Sequence, residues 1–129
     1  MAVIESLIDH KTNLTIHTVN GLVDGDDIIQ RMEEYHSGEV TKLIIWDFSD
    51  ADLRDLTTKK ITSIANIGRH FTESRMGGQK ALISLHNLSF GLGRMYEVLA
   101  EIEKFLIQTK VFRNMEEAKN WLGITDQSL

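Results

Sequence analysis

The chain has 129 residues, which is enough for one domain with a hydrophobic core of its own. Its hydrophobic content of 42% and its charged content of 26% argue against an intrinsically disordered protein. The formal net charge of -5 argues against general nucleic-acid binding, which relies on a basic surface. Cysteine is absent, and this excludes disulfides, thiol catalysis and cysteine-ligated zinc.

The sequence also lacks the usual signals of membrane insertion, secretion and metal binding. Its longest apolar run is far short of a membrane span, and its first residues, MAVIESLIDH, do not resemble a signal peptide. The five histidines are scattered and form no HExxH-like pattern. We therefore expect a single cytoplasmic domain over residues 1–129, with no metal and no cofactor.

The first two elements are predicted to form a β-hairpin. Residues 3–10 and 14–19 are strand-like runs, and the polar residues 11–13 between them suit a tight turn. The second run is expected to alternate, with Leu14, Ile16 and Thr18 pointing inward. Asn20-Gly21 is a turn signal and is predicted to end this strand.

A first helix is expected after the hairpin. Asp24 or Asp26 can cap it, and apolar residues recur at helical spacing as far as about Tyr35. Gly38 follows and is suited to the left-handed conformation that often closes a helix.

The centre of the chain is predicted to be a strand, a turn and a second helix. The strand covers residues 41–46, and its unbroken apolar residues 43–46 indicate burial on both faces. Residues 48–52 are predicted to form an acidic turn, and residues 53–72 a helix. The turn after such a strand is where an open α/β sheet commonly places a ligand or regulatory site.

The remaining elements continue the alternation of strands and helices. A strand is predicted over residues 79–85, then a helix over residues 90–105 capped by Ser89, then an edge strand over residues 106–112. Asn114 is predicted to cap a last helix that ends at Gly123. The order is ββαβαβαβα, which predicts one mixed α/β sheet: an N-terminal hairpin, then parallel strands with right-handed crossovers, covered by about four helices.

Seven short segments spread over nearly the whole chain carry a resemblance to a known family. They are residues 19–21, 46–51, 77–81, 91–97, 111–113, 117–118 and 121–122. In this order they resemble the SpoIIAA-like branch of the STAS domains, a fold that is also grouped with Sec14-type lipid-binding folds. The resemblance implies a small, non-enzymatic module that regulates a partner or binds a ligand.

The resemblance also directs attention to the start of the second helix. Anti-sigma-factor antagonists of this fold carry a phosphorylated serine there, in an Asp-Ser-Ser-Gly motif. The matching residues here are Asp55, Leu56, Thr57 and Thr58. Leu56 cannot accept phosphate, so phosphorylation would fall on Thr57 or Thr58. The alternative is that these hydroxyls only bond local backbone near the helix start.

Asp47 and His86 each follow a predicted parallel strand, so both are expected at the carboxyl edge of the sheet. A carboxylate beside an imidazole suits acid–base chemistry. No serine or cysteine nucleophile is evident beside them. The alternative is that Asp47 bonds loop backbone while His86 is a partly exposed turn residue, and we expect no catalysis.

Arg94 lies in the first turns of the third predicted helix, where the helix dipole disfavours a cation. A bound anion, or a carboxylate such as Asp47 or Glu97, would compensate, and an ordinary salt bridge is the simplest case. Gly91 and Gly93 flank the same turn, and they suit close backbone packing or the approach of a ligand.

Two surface features bear on partners. Apolar residues around the start of the third helix form either a hydrophobic lip for an acyl chain or partner helix, or part of the core. They are Leu88, Phe90, Leu92, Met95 and Tyr96. A basic cluster suits either weak contact with an anionic membrane surface or a solvated helix face. It comprises Lys59, Lys60, Arg69, His70, Arg75 and Lys80.

The first functional hypothesis is a regulatory module that docks a protein partner through residues 47–58 and 89–96. The second is a carrier or sensor of a small apolar or anionic ligand, and the third is an enzyme. Self-association is compatible with the edge strand and the apolar helix starts. The candidate site residues are Asp47, Ser49, Asp50, Asp55, Thr57, Thr58, His86, Arg94 and Tyr96.

Overall fold

A computed structural model describes residues 2–71 and 77–124. The order of elements is ββαβαβαβα, as predicted. The strands are β1 (Val3–Asp9), β2 (Leu14–Leu22), β3 (Leu43–Asp52), β4 (Gln79–Ile83) and β5 (Gln108–Phe112). The helices are α1 (Gly25–Ser37), α2 (Thr58–Phe71), α3 (Asn87–Ile102) and α4 (Met115–Leu122).

The five strands form one sheet in the order β1-β2-β3-β4-β5. β1 pairs with β2 antiparallel, and every later pair is parallel. Since each parallel strand lies next to its predecessor, right-handed crossovers put α1, α2 and α3 on the same face of the sheet. The helix α4 packs on β3, β4 and β5 from the opposite face.

The larger part of the core lies between the sheet and the three helices α1, α2 and α3. The sheet contributes Val19, Trp46 and Leu82 to this layer, and each is less than a tenth exposed. A smaller core lies under α4, where Ile45 and Ala81 are fully buried. Both faces of the central strands are therefore covered, which explains their unbroken apolar sequence.

The structure corrects the predicted boundaries around β3. This strand runs to Asp52, so the acidic residues 48–52 are a strand and not a turn. β2 extends beside it to Leu22, so Asn20-Gly21 does not end that strand either. A β-bulge sits between them, because Thr18 pairs with Asp47 but Asn20 pairs with Asp50. The extra residue on β3 resets the alternation of its side chains.

Helix ends agree with the sequence where a capping side chain is present. Asp24 caps α1 in a capping box with Asp27, and Asn114 caps α4. Gly123 has a φ of 77° and closes α4 in the left-handed conformation. Gly38 does not, since its φ is -110°, and that prediction is wrong.

The starts of α2, α3 and β5 were predicted wrongly. α2 begins at Thr58 rather than at residue 53, and β5 begins at Gln108 rather than at residue 106. α3 begins at Asn87, and its N-cap is His86 rather than Ser89. The Ser89 hydroxyl instead donates to the His86 carbonyl. The predicted end of the second helix at residue 72 and the turn that includes Arg75 lie outside the described residues.

Two helical glycines predict opposite responses to the same substitution. A Cβ at Gly68 would lie 2.6 Å from Tyr96 Oη, whereas at Gly91 the described residues place nothing within 4 Å. We expect Gly68→Ala to lower the free energy of unfolding by about 1–3 kcal/mol, because the buried tyrosine must move. Gly91→Ala is expected to raise it by about 0.5–1 kcal/mol through helix propensity. Urea unfolding at low protein concentration measures both, and equal effects would contradict the packing at Gly68.

Candidate functional site

A cavity lies between the sheet and the three helices that cover one face of it. The cavity has a volume of about 50 Å³. This is about a third of the roughly 150 Å³ that holds a benzene molecule, so the cavity is narrow and must widen to admit a ligand of that size. Its walls are Ile28, Met32, Trp46, Phe48, Leu53, Leu56, Ile61, Ile64, Lys80, Leu82, Ser84, Ser89, Leu92, Gly93 and Tyr96.

The cavity is apolar in the middle and polar at both ends. Lys80 and Tyr96 lie at one end, and Ser84 and Ser89 lie at the other. Four residues of extended chain separate Lys80 from Ser84, a distance of roughly 13 Å. The Ser84–Ser89 end lies at the carboxyl edge of the parallel strands, where open α/β sheets commonly bind ligands.

Lys80 is the most unusual residue in this cavity. It is 6% exposed, although lysine is seldom buried. Its Nζ donates to Tyr96 Oη at 3.2 Å and lies 5.2 Å from the centroid of the Tyr96 ring. Its position follows from the alternation of β4, because Lys80, Leu82 and Ser84 share the helix-covered face. The prediction that Lys80 belongs to a basic surface cluster is therefore wrong.

The apolar residues around the start of α3 divide between core and surface. Leu92 and Tyr96 line the cavity, as the core alternative requires. Phe90 lies under the Arg113 guanidinium, 3.9 Å from its ring centroid. Leu85 and Leu88 are 55% and 57% exposed beside the carboxyl edge. Of the five residues of the predicted lip, only Leu88 is thus strongly exposed, because Phe90, Leu92, Met95 and Tyr96 pack in or against the core. Leu85, which was not among them, is exposed nearby.

Asp47 and His86 are not brought together. Asp47 lies on the α4 face of the sheet, in register with Thr18 and Ile83, and Oδ1 accepts the Ser49 backbone N–H at 3.0 Å. This matches the alternative in which Asp47 bonds local backbone. His86 is exposed at the N-cap of α3, and within the described chain no hydrogen bond or ion pair joins it to Asp47.

The acidic residue near His86 is Asp52. Two contacts from Arg54 lower the pKa of this carboxyl: its backbone N–H donates to Oδ1, and its guanidinium pairs with Oδ2. His86 adds a weaker electrostatic contribution in the same direction. Asp52 is solvent-exposed, so these contacts hold a charged turn at the edge of the sheet rather than a buried acid.

Thr57 is the N-cap of α2. Its Oγ1 accepts the Lys60 backbone N–H at 3.1 Å, and its carbonyl accepts the Ile61 N–H. Thr57 and Asp55 also line a shallow groove with Asp24, Asp27 and Lys60. The remaining candidates on this edge, Ser49, Asp50 and Thr58, are half-buried or exposed and do not line the cavity.

The capping bond gives a direct prediction. Thr57→Ala is expected to lower the free energy of unfolding by about 1 kcal/mol, because one N-terminal N–H of α2 loses its acceptor. Thr58→Ala is the matched control, since Thr58 is exposed and the next residue along. Urea unfolding would distinguish the two, and equal losses would contradict the capping role of Thr57.

Arg94 makes an ordinary salt bridge. Its Nη1 lies 3.0 Å from Glu97 Oε1, and Glu97 Oε2 accepts the Val111 backbone N–H. Gly93 is explained by close packing, because a Cβ there would lie 2.7 Å from Val111 Cγ2. Arg94 is more than half exposed and is not part of the cavity wall.

The other basic residues do not form a continuous patch in the described chain. Lys60 pairs with Asp26, and Arg69 pairs with Glu103. Over residues 2–71 and 77–124, no three acidic or histidine side chains are grouped to hold a metal ion. Within the same ranges, no helix has both the length and the apolar character needed to cross a bilayer.

Comparison of the sequence with known protein families finds no match, and comparison with curated proteins finds none either. Among solved structures, the chain is similar to an uncharacterized protein of the DUF3478 family, with a SpoIIAA-like fold, from Shewanella loihica PV-4. The TM-score is 0.58 at 16% sequence identity, over 94% of this chain and 93% of that chain. With its five-stranded mixed sheet and four helices, this chain has the SpoIIAA-like α/β fold.

Proposed function

We propose that this protein is a non-enzymatic binding module that holds a slender, amphiphilic small molecule in the cavity under α1, α2 and α3. The observation that carries the proposal is a narrow apolar cavity with a buried lysine at one end. Protein interiors contain few voids larger than a water molecule, so a lined cavity at the usual ligand-binding edge calls for an occupant.

The lining dictates the chemistry of the ligand. Trp46, Phe48 and Leu82 offer apolar walls, so the ligand's middle is an unbranched hydrocarbon segment. Burial of such a segment contributes about 25 cal/mol per Å² of apolar surface. Lys80 Nζ and Tyr96 Oη provide donors for an anionic end such as a carboxylate. The class is therefore a medium-chain fatty acid or a similar acyl compound, whose chain must widen the cavity as it enters.

The non-enzymatic part of the proposal is supported by the placement of the acid–base candidates. Asp47 lies on the α4 face, opposite the cavity, and His86 is exposed at the N-cap of α3. Neither side chain lines the cavity wall. A ligand in the cavity therefore has its polar end beside Lys80 and Tyr96, which hold it in place.

Isothermal titration with octanoate and with octanol tests the proposal. The wild-type protein is expected to bind both, because both place a hydrocarbon chain in the cavity. Ser84→Leu adds a side chain at a cavity-lining position that is 1% exposed, and it is expected to weaken both ligands at least about tenfold. Ser63→Leu on the exposed outer face of α2 is the matched control. If the wild-type protein binds neither compound, the proposal is wrong.

A second candidate is the docking of a protein partner at the carboxyl edge, as the resemblance to anti-sigma-factor antagonists implies. The observation that favours it is the exposure of Leu85, an apolar side chain beside the cavity. We expect a partner captured with the octanoate-loaded protein to be lost with Leu85→Asp. Capture that is the same with Leu85→Asp would remove this edge as the docking surface.

A further inference from the structure

An apolar stripe runs along α3 and is formed by Leu88, Gly91, Met95, Val98 and Ile102; Met95 at its centre is half-buried and also packs against the main core. Successive members are separated by three, four, three and four residues, which is the spacing of a coiled-coil seam. Leu88, Val98 and Ile102 are 57%, 46% and 66% exposed, so nothing in the described chain covers them fully. An apolar helix face of this kind is normally buried against another helix or sheet.

Gly91 leaves a gap in the stripe, and packing within the described chain does not explain why this position is a glycine. Gly68 and Gly93 are each required by packing, since a Cβ would meet Tyr96 or Val111. At Gly91 the described residues leave open space around the position of a Cβ. Glycine lowers the stability of a helix, so we explain its presence here by a side chain of a second molecule that packs into the space beside it.

We propose that the stripe is the interface of a symmetric homodimer in which two α3 helices pack antiparallel. When Met95 of one copy lies opposite Val98 of the other, Gly91 lies opposite Ile102. Ile102, which is 66% exposed, then enters the gap at Gly91, and the two-fold axis repeats this contact at the other end. A two-fold interface requires this kind of self-complementary surface.

The charges beside the stripe fit the same arrangement. Arg94 and Glu101 each precede a stripe residue, Met95 or Ile102, so they lie along the same flank of the helix. Seven residues separate them, about 10 Å along the helix axis, which is too far for a salt bridge within one chain. In the antiparallel pair, Arg94 of one copy faces the flank that carries Glu101 of the other. Its guanidinium, which pairs through Nη1 with Glu97 of its own chain, has further N–H groups for Glu101, and two intermolecular pairs form.

A single helix stripe is smaller than the roughly 800 Å² per partner of a standard interface, so the dimer is weak and depends on concentration. Sedimentation velocity of the full chain over about a hundredfold range of concentration measures it. The wild-type protein is expected to shift from monomer to dimer. Gly91→Lys fills the gap and is expected to weaken dimerisation at least about tenfold, with an unchanged circular dichroism spectrum. Gly38→Lys, at an exposed glycine after α1, is the matched control.

A charge exchange identifies the contact itself. Arg94→Glu is expected to weaken the dimer, because like charges then face each other across the interface. The double variant with Glu101→Arg is expected to restore it, an outcome that a contact within one chain does not produce. A wild-type protein that stays monomeric at every concentration overturns the dimer. Dimerisation of Gly91→Lys equal to that of the wild type, or no rescue by the double variant, overturns this interface.

Discussion

Lys80→Met is expected to weaken the binding of octanoate by about 10- to 100-fold and to leave octanol within about twofold. The reason is the position of Lys80 Nζ at one end of an apolar cavity, next to Tyr96 Oη. A carboxylate loses a charge-assisted hydrogen bond when this nitrogen is removed, whereas an alcohol loses much less. Methionine has a similar length and is apolar, so the walls of the cavity keep their shape. Isothermal titration of both ligands gives the comparison.

Lys59→Met is the matched control, because Lys59 is exposed on α2 and its replacement removes one positive charge from the surface, away from the cavity. If both variants weaken octanoate equally, the effect is general electrostatics and Lys80 does not bind the head group. If Lys80→Met weakens octanol as much as octanoate, the substitution has damaged the cavity. Retention of octanol binding with no change in octanoate would leave the cavity in place and refute the role of Lys80.

Trp46→Ala is expected to lower the free energy of unfolding by about 3–5 kcal/mol. Trp46 is 4% exposed on the central strand, in register with His17 and Leu82. Its ring lies 4.4 Å from the His17 ring and stacks on Phe48 at 5.9 Å. Because a domain of this size has only about 5–15 kcal/mol of stability, the variant is expected to unfold at much lower urea concentration.

Trp121→Ala is the control for Trp46→Ala. Trp121 is half-buried on α4, 5.5 Å from the Phe112 ring, and it lies on the smaller core. Trp121→Ala is expected to lower the free energy of unfolding by less than half as much as Trp46→Ala. Equal losses from the two tryptophans would contradict the assignment of the main core to the three-helix face.

The order of elements was predictable because each strand and helix has a clear hydrophobic period. Asn114 and Gly123 mark both ends of α4 by side-chain chemistry and by backbone conformation, and these two predictions are confirmed. Where a boundary depends on pairing between strands, local signals failed. Asn20-Gly21 and residues 48–52 read as turns, but β2 and β3 pair through them across a bulge.

Burial on both faces of the sheet explains the errors in side-chain placement. Alternation from Leu14 predicted Leu14, Ile16 and Thr18 as the inward set, which leaves His17 on the outer face. His17 is 1% exposed in the main core, because α1 and α2 cover the face it shares with Val19. The Ser6 hydroxyl lies 2.7 Å from its Nδ1. The sequence alone does not show that the Ser6 hydroxyl, on the neighbouring strand, lies within hydrogen-bond distance of this buried histidine.

The sequence directed attention to the carboxyl edge of the sheet, and one end of the cavity lies there, whereas the end with Lys80 and Tyr96 does not. The carboxyl edge of the sheet was the expected location, and Tyr96 was among the expected residues. Asp47, Asp50 and Arg94 drew attention as charged residues near that edge, and none lines the cavity. Lys80 was missed because a charged residue is expected at a surface, although the alternation of β4 with Leu82 was a usable signal.

Native mass spectrometry of the protein purified from its own cells tests directly whether the cavity holds a ligand. We expect a bound small molecule of the mass of an acyl compound on the wild-type chain. Lys80→Met and Ser84→Leu are expected to carry much less of it, while Lys59→Met and Ser63→Leu are expected to carry as much as the wild type. A bare wild-type chain that also fails to take up added octanoate and octanol would contradict the binding module.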